Sequence, residues 1–341
     1  MPLTMRPWSI NCYVLSKVWF KCGSVDLRVA DITSINKSIK SWLYADLLEK
    51  PSELVMCRPS TQGGLGVISI KHKSLAILIR TFLETAAIPN FRHNLFHSAL
   101  FRYHVLGDTT LTNPGIPPYY SVRFFDYIKQ VYDETPLNIL TMSIGQWTKH
   151  LTEKELKIAI FENQLRYVPC RAELRSPDTL WSVSWKTFRL RGLSSDLISF
   201  NFKLLHGLLC TRQRLHHLNS VSPTCVLCNR QIEEDLEHAL FWCEFNQNTG
   251  RILLQIVSRY TPEVTATMLL KLQLETLDVD LKFQLVWFTS TILQEIWNKR
   301  VSKSAIQLFD IRSTLEARCQ LLRKNRAVCE TDALSDMINF V

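Results

Sequence analysis

Residues 224–243 read TCVLCNRQIEEDLEHALFWC, and the fold class turns on this stretch. Cys225 and Cys228 are separated by two residues, His238 follows after nine more, and Cys243 after a further four. Two thiols on one short loop with a distal His/Cys pair have the donor types and spacing of a tetrahedral zinc site. Because all four positions are protein ligands, the expected Zn²⁺ is structural and not catalytic. The alternative is a pair of buried core thiols beside a surface histidine. Ile232, Leu236 and Leu240 recur at i, i+4 and i+8, which predicts a helix over 232–241. On an uninterrupted helix residues five apart point about 140° away from each other. His238 and Cys243 can therefore share one ion only if the helix stops near Phe241 or Trp242.

Outward from this stretch the pattern is helical. Ser195 and Asp196 are candidate caps for a helix with Leu197, Phe200, Leu204 and Leu208 on one face. Leu285, Phe288, Ile292 and Ile296 mark another over 281–300. Toward the N-terminus, Ile32, Ile35, Ile39 and Leu43 predict a helix with Asp31 or Ser34 as caps. Gly63, Gly64 and Gly66 suit a tight turn, VISI at 67–70 an extended piece, and residues 73–86 a helix. The run GDTTLTNPGIPPYY at 107–120, with Pro114, Pro117 and Pro118, reads as a linker. The expectation is a mainly α protein in three parts: a helical region over 1–106, a linker and variable helical region over 107–180, and a helical zinc-binding region over 181–341 with a basic tail.

Charge separates the cluster from its flanks. Between Cys225 and Cys243, Arg230 stands against Glu233, Glu234, Asp235 and Glu237, a net of −3, which repels phosphate. Lys186, Arg189, Arg191, Lys203, Arg212 and Arg214 stand against Asp196, a net of +5. Lys299 to Arg326 holds eight basic residues against Asp310 and Glu316, a net of +6. With +9 on the whole chain, these flanks are candidate contacts for RNA or DNA, the alternative being solvated basic helix faces. Ten cysteines without a paired framework suit reduced thiols in an intracellular, soluble protein. The most apolar late run, FQLVWFTSTILQEIW at 283–297, is too short for a bilayer span.

Three other patterns carry little chemistry. Tyr44-Ala45-Asp46 is followed by Leu47, so it lacks the second carboxylate that two-metal catalysis needs. The glycines at 63–66 are not followed by the Lys and Ser/Thr of a phosphate loop. Asp278, Asp280 and Lys282 have the spacing of a nuclease element, but also that of a charged helix entrance.

Taken in order, INCYVLSKVWF at 10–20, INKSIKSWLY at 35–44, RPSTQGGLGVISIKHKSLA at 58–76 and the 181–243 segment resemble the C-terminal part of a LINE-type, non-LTR retrotransposon reverse transcriptase. LVWFTSTILQEIWNKR at 285–300 is similar to the tail of that region. Cys210 departs from it, standing where the family usually has Pro. The resemblance implies a thumb region followed by a zinc-binding region that helps hold element RNA and target DNA. It also implies a fragment with no catalysis of its own, since the palm with its paired aspartates and the endonuclease are not in this chain. Beside it stands a second reading, a structural or protein-interaction module in which the basic charge is incidental.

Overall fold

The computed structural model describes residues 1–3, 5–22, 27–45, 47, 50–87, 92–116, 124–126, 128–129, 170–228, 230–274, 278–304, 306–325 and 332–341. These residues are mainly helical and include no strand. Most of the 107–180 region, and Asp46 of the Tyr-Ala-Asp motif, lie outside the described residues.

The N-terminal part begins with α1 (Arg6–Ser9), a π turn over Ile10–Val14, α2 (Leu15–Cys22) and α3 (Val29–Leu43). Asp31 and Ser34 do not cap α3. It starts at Val29 from the extended Arg28, and Asp31 sits in the first turn, paired with the Arg28 guanidinium at 2.9 Å. After α4 (Glu53–Cys57) the glycine turn forms, with positive φ at two of its three glycines and a close approach at the third. Gly63 and Gly66 have φ of 78° and 71°, and a Cβ at Gly64 would lie 1.8 Å from the Arg58 carbonyl oxygen. Residues 67–69 belong to no helix or ladder, and α5 (Ile70–Ala87) packs on α6 (Arg92–His104).

The second half resumes at α7 (Arg171–Arg175), α8 (Trp181–Thr187) and α9 (Ser195–Leu205). The cap of α9 is Ser194, one residue before the predicted pair, its hydroxyl accepting from the Leu197 N–H at 3.3 Å. Leu208 falls beyond the helix, after Gly207 at φ 61°. Then come α10 (Arg212–Asn219), the metal-cluster loop, α11 (Gln247–Ser258), α12 (Ala266–Leu270), α13 (Val279–Ser302), α14 (Leu308–Asn325) and α15 (Asp332–Phe340). The predicted stripe of α13 is fully buried, and so are its flanks at Gln284, Thr289, Ser290 and Thr291. A helix covered all round is an axle and not a surface helix. α9, α11, α14 and α15 pack about it.

Buried apolar side chains form three clusters. One gathers α9, α11, α13, α14 and α15; a second joins α5, α6 and Phe124, Phe125 and Ile128. The third is shared between residues 3–70 and the distant Cys170, Trp181, Trp185, Phe188, Phe202 and Leu205. A polar seam runs along it. Glu173 accepts from Arg58 Nη1 at 3.0 Å, from Trp185 Nε1 at 3.0 Å and from the Cys170 N–H at 2.6 Å. The Trp181, Trp185 and His206 rings stack at 4.7 and 5.0 Å, and His206 Nε2 lies 2.7 Å from the Gly63 carbonyl. Gly63 is required here on a second count, since a Cβ would sit 2.6 Å from the Trp185 ring.

Candidate metal centre

The first rim of the centre is a hairpin-like loop. Thr224 and Glu233 form an isolated antiparallel bridge, with the Cys225 N–H donating to Ile232 at 2.9 Å and the Glu234 N–H to Pro223 at 2.9 Å. Gln231 takes φ of 50° to turn the chain back. Inside the loop the Leu227 N–H approaches Cys225 Sγ at 3.4 Å. Ile232 is thus in the bridged segment and exposed, so the helix predicted from 232 begins later. Asp235 supplies the start: its Oδ1 accepts from the His238 N–H at 2.7 Å.

The second rim solves the five-residue spacing in an unexpected way. Residues His238–Trp242 form a π turn, and the Cys243 N–H donates to the His238 carbonyl at 2.8 Å. An i→i+5 closure widens the turn by one residue and brings Cys243 over His238, where an α turn would carry it away. Cys243 itself is extended, at φ −64° and ψ 135°, so the helix does stop at the place the spacing requires. Ala239, Leu240 and Phe241 point into the core, and Gly250 lets α11 pass so close that a Cβ there would lie 2.8 Å from Phe241 Cα.

These two rims bring all four predicted ligands together. The donor atoms of Cys225, Cys228, His238 and Cys243 lie within 4.8 Å of one another, with Cys225 Sγ and Cys243 Sγ 3.7 Å apart and Cys228 Sγ 3.5 Å from His238 Nε2. A zinc tetrahedron with Zn–S of about 2.3 Å and Zn–N of about 2.0 Å has S···S edges of about 3.8 Å and S···N edges of about 3.5 Å. The separation of the two sulfurs is far beyond a disulfide bond. Cys225, His238 and Cys243 are buried and Cys228 is half-buried, so the group could hold a metal ion that is closed off by protein ligands. This is the one such cluster among the described residues.

Electrostatics at the centre is set by a residue from another element. Arg300, near the end of α13, donates from Nη2 to Cys225 Sγ at 3.3 Å and from Nη1 to Cys243 Sγ at 3.6 Å, and forms an ion pair with Glu234. Burial opposes ionisation of Cys225, but the Arg300 hydrogen bond and charge, with the Leu227 and Cys228 N–H groups, outweigh it and lower the thiol pKa. Cys243 is pushed up to about 11 by burial and by the neighbouring Cys225. Burial, aided by the Arg300 charge, lowers His238, favouring the neutral imidazole that a metal needs. Burial would lower Arg300 too, but Cys225, Glu234 and Cys243 together raise it.

No protein-family model matches this chain, and no curated protein matches it.

The six predicted nucleic-acid contacts are spread over several elements. Lys186, Arg189 and Arg191 are exposed at the end of α8 and in the turn after it; Lys203 is half-buried on α9; Arg212 and Arg214 are half-buried in the first turn of α10. Half of the second basic run is engaged by carboxylates. Lys299 pairs with Asp310, Arg312 with Glu316 and Arg318 with Glu295, each at 3.0 Å, and Arg300 is buried at the thiols. Arg230 pairs with Glu244 at 2.8 Å. Asp278 is the N-cap of α13, its Oδ1 accepting from the Asp280 and Leu281 N–H groups at 2.8 and 3.3 Å. Asp280 is exposed and Lys282 half-buried on the following turn, and neither joins a metal-ligating group. Among the described residues no helix is long and apolar enough to cross a membrane.

Sequence reading missed Arg300 and Glu234 as partners of the centre. By sequence Arg300 belongs to the basic tail and Glu234 to the acidic loop, although the two meet at the ligands. Fifty-seven residues separate Arg300 from Cys243, and no local pattern announces such a pairing.

Proposed function

We propose that the chain is a zinc-braced, non-catalytic nucleic-acid-binding segment of a LINE-type retrotransposon reverse transcriptase. The observation that carries the reading is the convergence of Cys225, Cys228, His238 and Cys243, whose donor atoms lie within 4.8 Å of one another, behind the segments that resemble the thumb. Zinc fits the donor set better than other first-row ions, since it favours tetrahedral sulfur and nitrogen ligands. In this role the metal fixes the loop between α10 and α11, and the chemistry it supplies is folding free energy. On this reading phosphate meets the exposed Lys186, Arg189 and Arg191 and the half-buried Lys203, Arg212 and Arg214.

A second reading is favoured by the ion pairs of the C-terminal helices. With Arg318 paired to Glu295 and Arg300 buried against Glu234, two carboxylates from outside the second basic run, that run offers less charge to phosphate than its sequence suggests, as a protein-interaction module would. Binding of RNA and DNA across graded salt separates the two. Phosphate contact gives a log–log slope of about −0.9 per contact on duplex DNA, whereas a flat or absent response removes the nucleic-acid reading. Replacing Arg189, Arg191, Arg212 and Arg214 with Ala should flatten the slope, while Arg230→Ala leaves it in place. The metal claim stands on about one zinc per purified chain, lost in the His238→Ala, Cys243→Ala double variant.

A further inference from the structure

A centre of three thiolates and one neutral imidazole about a dication carries one excess negative charge, here set against the apolar cluster around α13. Charge in such a place needs a partner. Arg300 is the cation that reaches it: its side chain is 5% exposed, and its fork places one N–H donor on Cys225 Sγ and another on Cys243 Sγ. The other side of the guanidinium is held by Glu234, itself 6% exposed, whose Oε1 accepts from the Arg212 N–H at 3.2 Å. Glu234 is tied further by its backbone, with the Gln213 N–H donating to its carbonyl at 3.1 Å. Arg300 is therefore clamped between the ligand sulfurs and a carboxylate anchored to α10. Lysine, a point charge without a planar fork, cannot address two sulfurs and a carboxylate in this way.

We infer that Arg300 is an outer-shell residue of the metal centre, which holds the Cys225 and Cys243 thiolates by N–H···S hydrogen bonds and so couples metal retention to the seating of the last turn of α13. The inference rests on the cluster binding a metal. Outer-shell partners orient ligands and offset their charge, and their loss typically weakens metal binding about 10–100-fold. Removing the N–H donors also raises the energy of the sulfur lone pairs, which moves thiolate-to-metal charge transfer to longer wavelength.

The test is cobalt(II) titration of the full chain and of Arg300→Met and Arg300→Lys, followed by absorption spectroscopy and by competition with a chromogenic chelator. The expected result is a tetrahedral cobalt spectrum for the parent chain. In Arg300→Met the charge-transfer band should shift to longer wavelength and affinity should fall about 10–100-fold. Arg300→Lys should restore part of the affinity and not the band position. Parental affinity with an unmoved band in Arg300→Met overturns the inference, as does a loss of thermal stability alone. If Arg300→Met does not fold, an unmoved band in Arg300→Lys overturns it equally. A parent chain that gives no tetrahedral spectrum overturns the metal reading and the inference with it, whereas a tetrahedral parent with indifferent variants overturns the role of Arg300 alone.

Discussion

His206 shows how a single side chain can report on the packing of distant segments. Its ring lies between Trp185 and Phe202, at 5.0 and 4.3 Å, with Nε2 against the Gly63 carbonyl. Burial, only partly offset by the Gly63 contact and by Glu173, lowers its pKa from the ordinary 6.5 to about 4. The unfolded chain therefore takes up this proton first. Stability from His206 is complete above about 6.5 and declines as pH falls toward 4, by up to about 3 kcal/mol. Chemical denaturation of the wild type and of His206→Gln at saturating zinc should show the advantage of the wild type shrinking across that window. A pH-independent difference would mean that the ring is not held neutral.

At the level of elements, α13 rests on its entrance. Asp278→Ala removes the acceptor for two N–H groups and should cost about 1 kcal/mol, read as a lower urea midpoint, while Asp278→Ser or Asp278→Asn keeps most of it. A catalytic role for the Asp278, Asp280 and Lys282 set would instead show as metal-dependent cleavage lost in Asp280→Ala. The core face of α13 was legible because Leu285, Phe288, Ile292 and Ile296 keep helical spacing. Its burial on every side was not, because Thr289, Ser290 and Thr291 read as polar. The four candidate ligands were legible for the opposite reason: Cys and His at fixed offsets are a chemical pattern and do not depend on packing. Their spacing also announced a helix stop near Phe241 or Trp242, though not the π turn that carries it out. The start at Ile232 was misread because i, i+4, i+8 periodicity takes no account of the bridge between Thr224 and Glu233. Contacts that join remote segments, such as Arg300 with Cys243 or Glu173 with Arg58, leave no local trace at all.

Across the whole molecule, the cluster shared by residues 3–70 and 170–205 decides which parts can be separated. A fragment spanning residues 181–341 keeps all four candidate ligands but uncovers Trp181, Trp185, Phe188, Phe202 and Leu205. Such a fragment should still bind one cobalt, yet run as an aggregate in size-exclusion chromatography, with strong binding of hydrophobic dyes. A monodisperse fragment with the stability of the full chain would show that the shared core contributes little. The same architecture has a consequence in time. The N-terminal helices emerge about a hundred residues ahead of the segment that covers them. At synthesis rates of about 5–20 residues per second, their apolar faces wait on the order of ten seconds for their partners. The interval is long enough for a chaperone, or a second nascent chain, to reach those faces first.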